Sequence, residues 1–304
     1  MVDIVIVNWN SGSYLQKCVQ SIFNGINENF VQKVFIIDNN SSDASLKNIF
    51  LNDKVQVIYN KENLGFAKAC NQGFKISAAK YVLLLNPDVQ LLQETIPQCI
   101  SFMDQRNGID ILGCQLLNDQ NEIAFSCSRF PSAGGIFRDS TGLSKIAPRL
   151  FKPGIIMRDW SHTESQFVDQ IMGAFMFMRR TVFEKIGLFD ERFFVYFEEV
   201  DFSKRLSKVG GKSFFTSEIK AIHSGEGTTG SVKGFRLFLN LKSRLQYAKK
   251  HFNSFGYASV WLTTFFIEPI SRSFFLIASG RSKELRDLWQ GYKYLTGFSK
   301  SKWM

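Results

Sequence analysis

A chain of 304 residues that is 45% hydrophobic and 14% aromatic has material for one large domain with an appendage or for two modest domains, which excludes a disordered chain. Its five cysteines (Cys18, Cys70, Cys99, Cys114 and Cys127) are odd in number and lack any C-x-x-C pair, arguing against a disulfide framework or a zinc site and for a reducing cytoplasm. The net charge of +10 suggests an anionic partner, for which nucleic acid, an acidic lipid surface and a nucleotide substrate all qualify; there is no zinc-finger, RNP-type or helix-turn-helix signature, a solvated basic surface is the default, and charge alone decides nothing.

The amino terminus, Val2 to Val7, is a short apolar run containing Asp3 and no basic leader, so it reads as a buried first strand rather than a signal peptide. It runs into Asn8-Trp9-Asn10, and Ser11 or Ser13 can cap a helix from about Tyr14 to Phe23 that Gly25 ends. A second strand, Val34 to Ile37, delivers Asp38, with Asp43 placed to cap a further helix toward Leu51. A third strand, Val55 to Tyr59, precedes Asn63-Leu64-Gly65-Phe66-Ala67 and a helix to Ser77. Tyr81 to Leu85 is apolar without alternation, as in a strand covered on both faces, and Pro87 stops it so that Asp88 stands at its carboxyl end. The order is βαβαβαβ, a doubly wound α/β arrangement with every strand-to-helix loop on one edge.

That edge is where open α/β sheets bind ligands. Asp88 there can hold a hard divalent cation against a diphosphate, although a turn with a helix cap explains Asn86-Pro87-Asp88 as well. An ionised Asp38 can accept the imide N–H of a uracil or thymine ring, and an Asx-turn is its plain alternative. Gly65 permits close backbone approach at a helix start that suits phosphate or ribose. No G-x-G-x-x-G follows the first strand, which counts against a dinucleotide dehydrogenase.

After a helix from Thr95, residues 109–117 and 122–130 read as a strand pair, and 131–165, rich in Gly, Pro, Ser and Arg, as an aperiodic acceptor-side flap or a disordered stretch. Phe167 to Met178 reads as one strand with Gly173 inside it, where a ligand comes close. Thr181 to Glu184 is a capping box for a short helix stopped by Gly187. An aromatic run, Phe193 to Phe197, then leads into Glu198, Glu199 and Asp201 at a helix start. Complementing the helix dipole is the ordinary role of such acids, but three together beside an aromatic wall point to a carboxylate raised into the range of a general base. Glu199 is the expected base and Asp201 an orienting group. A strand over 212–222 ends at His223, a second cation ligand or a lone surface histidine, followed by a glycine-rich loop to Gly230.

Taken together, Val7-Asn8-Trp9-Asn10, Asp38 to Asp43, Asn63 to Ala67 with Asn71, Asn86-Pro87-Asp88, Gly173 with Arg179-Arg180, Gly187 to Asp201 and His223 resemble the inverting GT-A-fold glycosyltransferases, most closely the bacterial rhamnosyltransferase type. The match runs in order over roughly the first 250 residues, through Arg244 and Lys249-Lys250-His251. The resemblance implies a GT-A type, doubly wound, mostly parallel sheet over residues 1–230, with a nucleotide-sugar half to about 105, an acceptor half after it and a helical appendage over 231–304. It implies a dTDP- or UDP-linked donor, best guessed as dTDP-rhamnose, held by Val7, Asn8, Asn10, Asp38, Asn40, Asn63, Gly65, Phe66, Ala67, Asn71, Asn86 and Pro87. Asp88 and His223 would bind Mg2+ or Mn2+, Glu199 would deprotonate the acceptor, and Gly173, Glu198 and Asp201 would flank a lipid-linked or glycan acceptor. Two departures stand out: the family more often has Asp at the position of Glu199, and Asn86 replaces the first acid of a full D-x-D. The competing readings are a sugar-nucleotide nucleotidyltransferase and a non-catalytic scaffold of a polysaccharide-assembly complex.

In the last fifty residues, Tyr257 to Ile267 and Phe274 to Ala278 read as two apolar runs broken at Glu268-Pro269, each too short to span a bilayer. With Arg281, Lys283, Arg286, Trp289, Lys293 and Trp303 they suit a helix pair on an anionic membrane surface, or one packed against the catalytic domain or a second subunit, and the chain is expected in the cytoplasm or peripherally on the inner membrane face.

Overall fold

The computed structural model describes residues 1–47, 49–225 and 233–297, so Glu226 to Gly230 of the expected glycine-rich loop, and Trp303, lie outside the described residues. These residues form two units: 1–128, 160–192 and 198–225 in the first; 129–159, 193–197 and 233–297 in the second.

In the first unit the chain runs β1 (Val2–Asn8), α1 (Tyr14–Ile22), β2 (Val31–Asp38), β3 (Val55–Tyr59), α2 (Phe66–Ile76), β4 (Tyr81–Leu85), β5 (Val89–Leu91), α3 (Thr95–Asp104), β6 (Ile111–Leu117), β7 (Ile123–Ala124) and β8 (Cys127–Ser128). The main sheet begins β3-β2-β1-β4, and these pairs are all parallel. Every residue of β1 and β4 is buried, as unbroken apolar runs require of strands covered on both faces. Helix α2 lies close against β1: a Cβ on Gly73 would come within 2.5 Å of Val5 Cγ1, so only glycine fits there. All five cysteines are buried free thiols.

Three expectations are corrected. Among the described residues no helix joins β2 to β3: residues 43–47 make bends and turns, and Asp43, instead of capping a helix, accepts hydrogen bonds from Gly12 N at 2.7 Å and Ser45 Oγ at 2.6 Å. The single strand expected over 167–178 is three: β9 (Gln166–Val168), β10 (Gln170–Ile171) and β11 (Phe175–Arg179), with Gly173 between strands rather than inside one. Helix α6 (Thr181–Ile186) begins at Thr181 itself with Arg180 as its N-cap and no side-chain cap bond, so the capping box does not form; Gly187, at φ +72°, does end the helix. Strand β11 inserts antiparallel between β4 and β6, and after α7 (Glu198–Lys208) the long β12 (Ser213–His223) joins β6 in parallel and β5 antiparallel.

In the second unit, α4 (Ala133–Thr141) and α5 (Leu143–Ile146) replace the expected aperiodic flap. The remaining helices are α8 (Lys233–His251), α9 (Ser254–Leu262), α10 (Glu268–Ala278) and α11 (Leu285–Thr296). A π-helical turn, Thr263–Ile267, joins α9 to α10, so Ser254–Ala278 is one continuous helix of 25 residues, long and apolar enough to cross a membrane by length and composition. This overturns the reading of two short runs. Pro269 follows directly on the π-helical turn inside this continuous helix, and Glu268 is buried against Arg272 Nε at 2.7 Å and Arg244. Arg244 itself is 6% exposed and also donates to Thr264 Oγ1 at 2.8 Å, which makes it a core residue of this unit. Helices α8 and α11 share a cluster of Leu241, Leu288 and Tyr292, and meet most closely where a Cβ on Gly291 would stand 2.8 Å from Gly234 O.

Candidate active site

Register places Asn8 beside Asp38 at the carboxyl ends of β1 and β2. Asn8 Nδ2 donates to Asp38 Oδ1 at 2.8 Å and to Ser45 Oγ at 2.9 Å, and Ser11 Oγ donates to Asn8 Oδ1. Ser41 N donates to Asp38 Oδ2 at 3.2 Å. The carboxylate of Asp38, 4% exposed, is therefore oriented by neutral donors and keeps acceptor capacity for one more N–H. Asn10 and Asn40 adopt left-handed φ of +52° and +64°, and Asn10 Oδ1 accepts from Ser42 N at 2.7 Å, which closes the β2 loop over the end of β1. Asn40 is exposed, whereas Val7 is buried within β1.

Asn39 is the residue that sequence reasoning passed over. Its Nδ2 donates to Asn63 Oδ1 at 2.8 Å and Gly65 O at 3.2 Å, and its Oδ1 accepts from Leu64 N at 3.0 Å. One buried amide thus holds the whole Asn63–Gly65 turn against the Asp38 loop. The density of Asn around position 39 is its sole trace in the sequence, and turn-forming Asn looks the same. Gly65, at φ +84°, is the N-cap of α2, and Phe66 and Ala67 open that helix. Asn71 faces elsewhere: it exchanges hydrogen bonds with Phe189, donating to its O at 2.9 Å and accepting from its N at 3.0 Å, and donates to Glu191 Oε1 at 3.0 Å. Its amide fixes the chain leading toward α7.

At the end of β4, Asn86 N donates to Ala174 O at 2.9 Å, and Val89 N returns to Asn86 O at 3.1 Å across Pro87, a tight turn that turns Asp88 out of the strand. Asp88 Oδ2 lies 3.3 Å from His223 Nε2, because β12 pairs its last residue with Val89, and Ser224 N closes onto Asp88 O at 3.1 Å. Two cis ligands of an octahedral Mg2+ or Mn2+, each about 2.1 Å from the ion, stand about 3 Å apart, so this pair fits two corners of such a site. Among the described residues no group of three or more His, Cys, Asp or Glu is placed to hold a metal ion, so the protein's ligands of these types would be this pair alone.

Gly173 connects this strand end to the acids. It precedes Ala174, the partner of Asn86, and a Cβ built on it would lie 3.8 Å from the Phe66 ring and 3.9 Å from Glu199 Cβ, so the three border one another. The Oε2 atoms of Glu198 and Glu199 are both buried with no hydrogen-bond partner among the described residues. Burial pushes the Glu199 carboxyl above the usual range, against backbone N–H groups at the start of α7 that favour the charge. The Glu198 carboxyl is pushed up as well, by burial and then by the charge of Glu199. Asp201 is turned away from both: it accepts from Arg205 Nε at 2.8 Å, and that guanidinium also donates to Leu188 O at 2.7 Å and to Ile186 O. The arrangement offers a carboxylate with one oxygen, Glu199 Oε2, left open to take a proton and, linked to it through Gly173 and Ala174, a carboxylate–imidazole pair able to face a polyphosphate.

The second unit holds a cavity of about 470 Å³ lined by Lys145, Lys233 and Arg281 with Phe275 and Leu276, in which Arg281 and Lys233 are both drawn to Glu284. None of the strand-end residues lines it.

Comparison with known proteins accords with this geometry. The family model of glycosyl transferase family 2 matches residues 3–187. The low-salt glycan biosynthesis hexosyltransferase Agl10 of Haloferax volcanii is 26% identical over 251 residues, covering 80% of this chain and 74% of that protein. The N-acetylglucosaminyl-diphospho-decaprenol L-rhamnosyltransferase of Mycobacterium tuberculosis is 24% identical over 257 residues, 80% of this chain and 82% of that one. Among solved structures, the mannosyltransferase PcManGT from Pyrobaculum calidifontis, in complex with GDP-Man and Mn2+, superposes with a TM-score of 0.56 at 10% identity, over 99% of this chain and 88% of that one, a likeness of fold.

Proposed function

The chain belongs to glycosyl transferase family 2, and from that membership we propose that it moves a hexose, with inversion, from a nucleoside-diphosphate sugar to a lipid-linked or glycan acceptor. The observation that carries the reading is the pairing of Asp88 with His223 at 3.3 Å on the strand end that Gly173 and Ala174 join to Glu199, whose Oε2 has no hydrogen-bond partner among the described residues. The sugar chemistry is assigned to the first unit. Asp38 accepts the imide N–H of the nucleobase, held in place by Asn8 and Ser41. Asp88 and His223 hold Mg2+ or Mn2+, which when bound offsets the charge of the leaving diphosphate. Glu199 takes the proton of the acceptor hydroxyl as its oxygen bonds to the anomeric carbon; the bond from that carbon to the diphosphate oxygen breaks, its electron pair leaving with the diphosphate. Attack and departure on opposite sides invert the carbon.

Rhamnose from a dTDP donor is the favoured sugar, supported by the rhamnosyltransferase name of the mycobacterial relative, whose name also contains a polyprenyl diphosphate acceptor. A cytoplasmic site of action suits a nucleotide-linked donor. The test incubates the purified chain with dTDP-rhamnose, UDP-glucose, UDP-N-acetylglucosamine and GDP-mannose, with Mn2+, and follows release of nucleoside diphosphate. Slow hydrolysis of one donor, lost in Asp88→Ala, is expected. Release unchanged by Asp88→Ala would overturn the assignment of Asp88.

A further inference from the structure

The continuous helix Ser254–Ala278 has one face that nothing in its unit covers. Phe255, Leu262, Phe266, Ile270, Phe274 and Ile277 are between 51% and 84% exposed, and they follow one another along a single ridge of the helix. A ridge of residues four apart drifts around a regular α-helix; the π-helical turn at Thr263–Ile267 rotates less per residue and counters that drift. The opposite face is fixed: Val260, Thr263, Thr264 and Glu268 are buried, and Glu268 is clamped by Arg244 and Arg272. The helix therefore cannot roll to hide its apolar ridge. A row of about 22 residues, about 33 Å long at 1.5 Å per residue, far exceeds the scattered exposed apolar side chains of an ordinary soluble surface.

We propose that this ridge lies in the plane of a bilayer rich in anionic phospholipid, seated at the boundary of headgroups and acyl chains. Charge selects this occupant. Directly after the helix come Arg281 and Lys283, both exposed, and α11 then presents Arg286, Trp289 and Lys293 on its outward face while burying Leu288 and Tyr292. A tryptophan between two cations is what the headgroup layer accommodates. A second copy of a chain carrying +10 would bring like charges together at the same place. Crossing the membrane would require stripping the Glu268 clamp from its partners midway along the helix, whereas lying flat leaves it untouched.

The full chain should sediment with vesicles of phosphatidylglycerol and phosphatidylcholine in equal parts, far less with phosphatidylcholine alone, and less as salt rises. Phe266→Ser with Ile270→Ser should lower partitioning by about 30-fold, since each half-exposed side chain contributes about 1 kcal/mol. The melting temperature should hold, because both positions are exposed. Failure of the wild type to sediment with anionic vesicles, equal sedimentation by the double variant, or a vesicle-free dimer that the double variant dissolves would each overturn the proposal. None of these readouts involves sugar transfer, so a failed donor assay leaves them intact.

Discussion

Glu199→Gln removes a charge from a half-buried side chain whose Oε2 is enclosed without a hydrogen-bond partner among the described residues, while keeping the side chain's shape, so activity and stability should respond to it in ways that separate a base from a helix cap. As a general base the carboxylate is worth about 10²–10⁴ in kcat, equivalent to about 3–5 kcal/mol of transition-state stabilisation. Donor affinity should be unchanged, because Asp38 and the Asp88–His223 pair are separate from it. Burial raises the carboxyl in the folded protein above its unfolded value of about 4.3, so the folded state binds more protons than the unfolded one. Stability then falls as pH rises from the unfolded value through the raised one, by about 1.4 kcal/mol for each unit of difference. Gln does not titrate, so relative to the variant the wild type should gain stability as pH is lowered toward 4. The slope of that difference is the readout, since the amide also leaves a polar atom unpaired in the same place. Single-turnover kinetics, nucleotide titration and urea denaturation across pH 4 to 8 provide the three measurements. Wild-type turnover in the variant, loss of nucleotide binding, or a stability difference flat in pH would each refute the reasoning.

Chelation should abolish transfer, and Mn2+ should restore it; His223→Ala should raise the Mn2+ concentration for half-maximal rate by about tenfold or more, read by metal titration. Unchanged metal dependence would remove His223 from the site. Glu268→Gln leaves the Arg244 guanidinium buried beside a neutral partner and should cost about 3–5 kcal/mol in urea unfolding. Burial pushes Glu268 up, but Arg244 and Arg272 outweigh it and hold the carboxyl below the usual range. The wild-type advantage is thus complete above the unfolded pKa of about 4.3 and lost as pH falls through the lower folded value. Gly73→Ala should cost about 1–3 kcal/mol, because the new Cβ meets Val5 Cγ1 at 2.5 Å, and adding Val5→Ala should recover part of it.

What was legible in the sequence was local. The unbroken apolar runs of β1 and β4, the stop at Pro87 and the left-handed Gly65 all follow from backbone rules that need no distant partner. The misreadings come from contacts far apart in the chain. Asp43 looks like a helix cap, yet Gly12 claims its carboxylate from 31 positions away. Gly134 and Gly135 disguise α4 as a loop; Gly135 is required because a Cβ there would lie 3.1 Å from Gly154 Cα, a packing constraint invisible to propensity. Glu268-Pro269 looks like a helix break because an isolated acid and proline are, and two arginines and a π-helical turn convert it into a continuous helix. In the candidate site, the partner of Asn71, 118 positions on, and the holding role of Asn39 were not readable.

The three acids of α7 show how the competing explanations of one pattern are decided. A carboxylate in a first helical turn gains about 0.3–1 kcal/mol from the dipole, whereas an ion buried without a partner loses several kcal/mol. Had dipole complementarity placed them, all three would be exposed and held below the usual carboxylate range. Asp201 instead has the Arg205 guanidinium, which also secures the chain at Ile186 and Leu188, and so it serves as an anchor for the helix start. Glu198 and Glu199 have no such partner, and burial raises both. The two carboxyls titrate as a pair, each raised by burial, with Glu198 also feeling the charge of Glu199. Two raised carboxyls side by side are costly to fold, and proton abstraction from an acceptor hydroxyl is the use we propose for that cost.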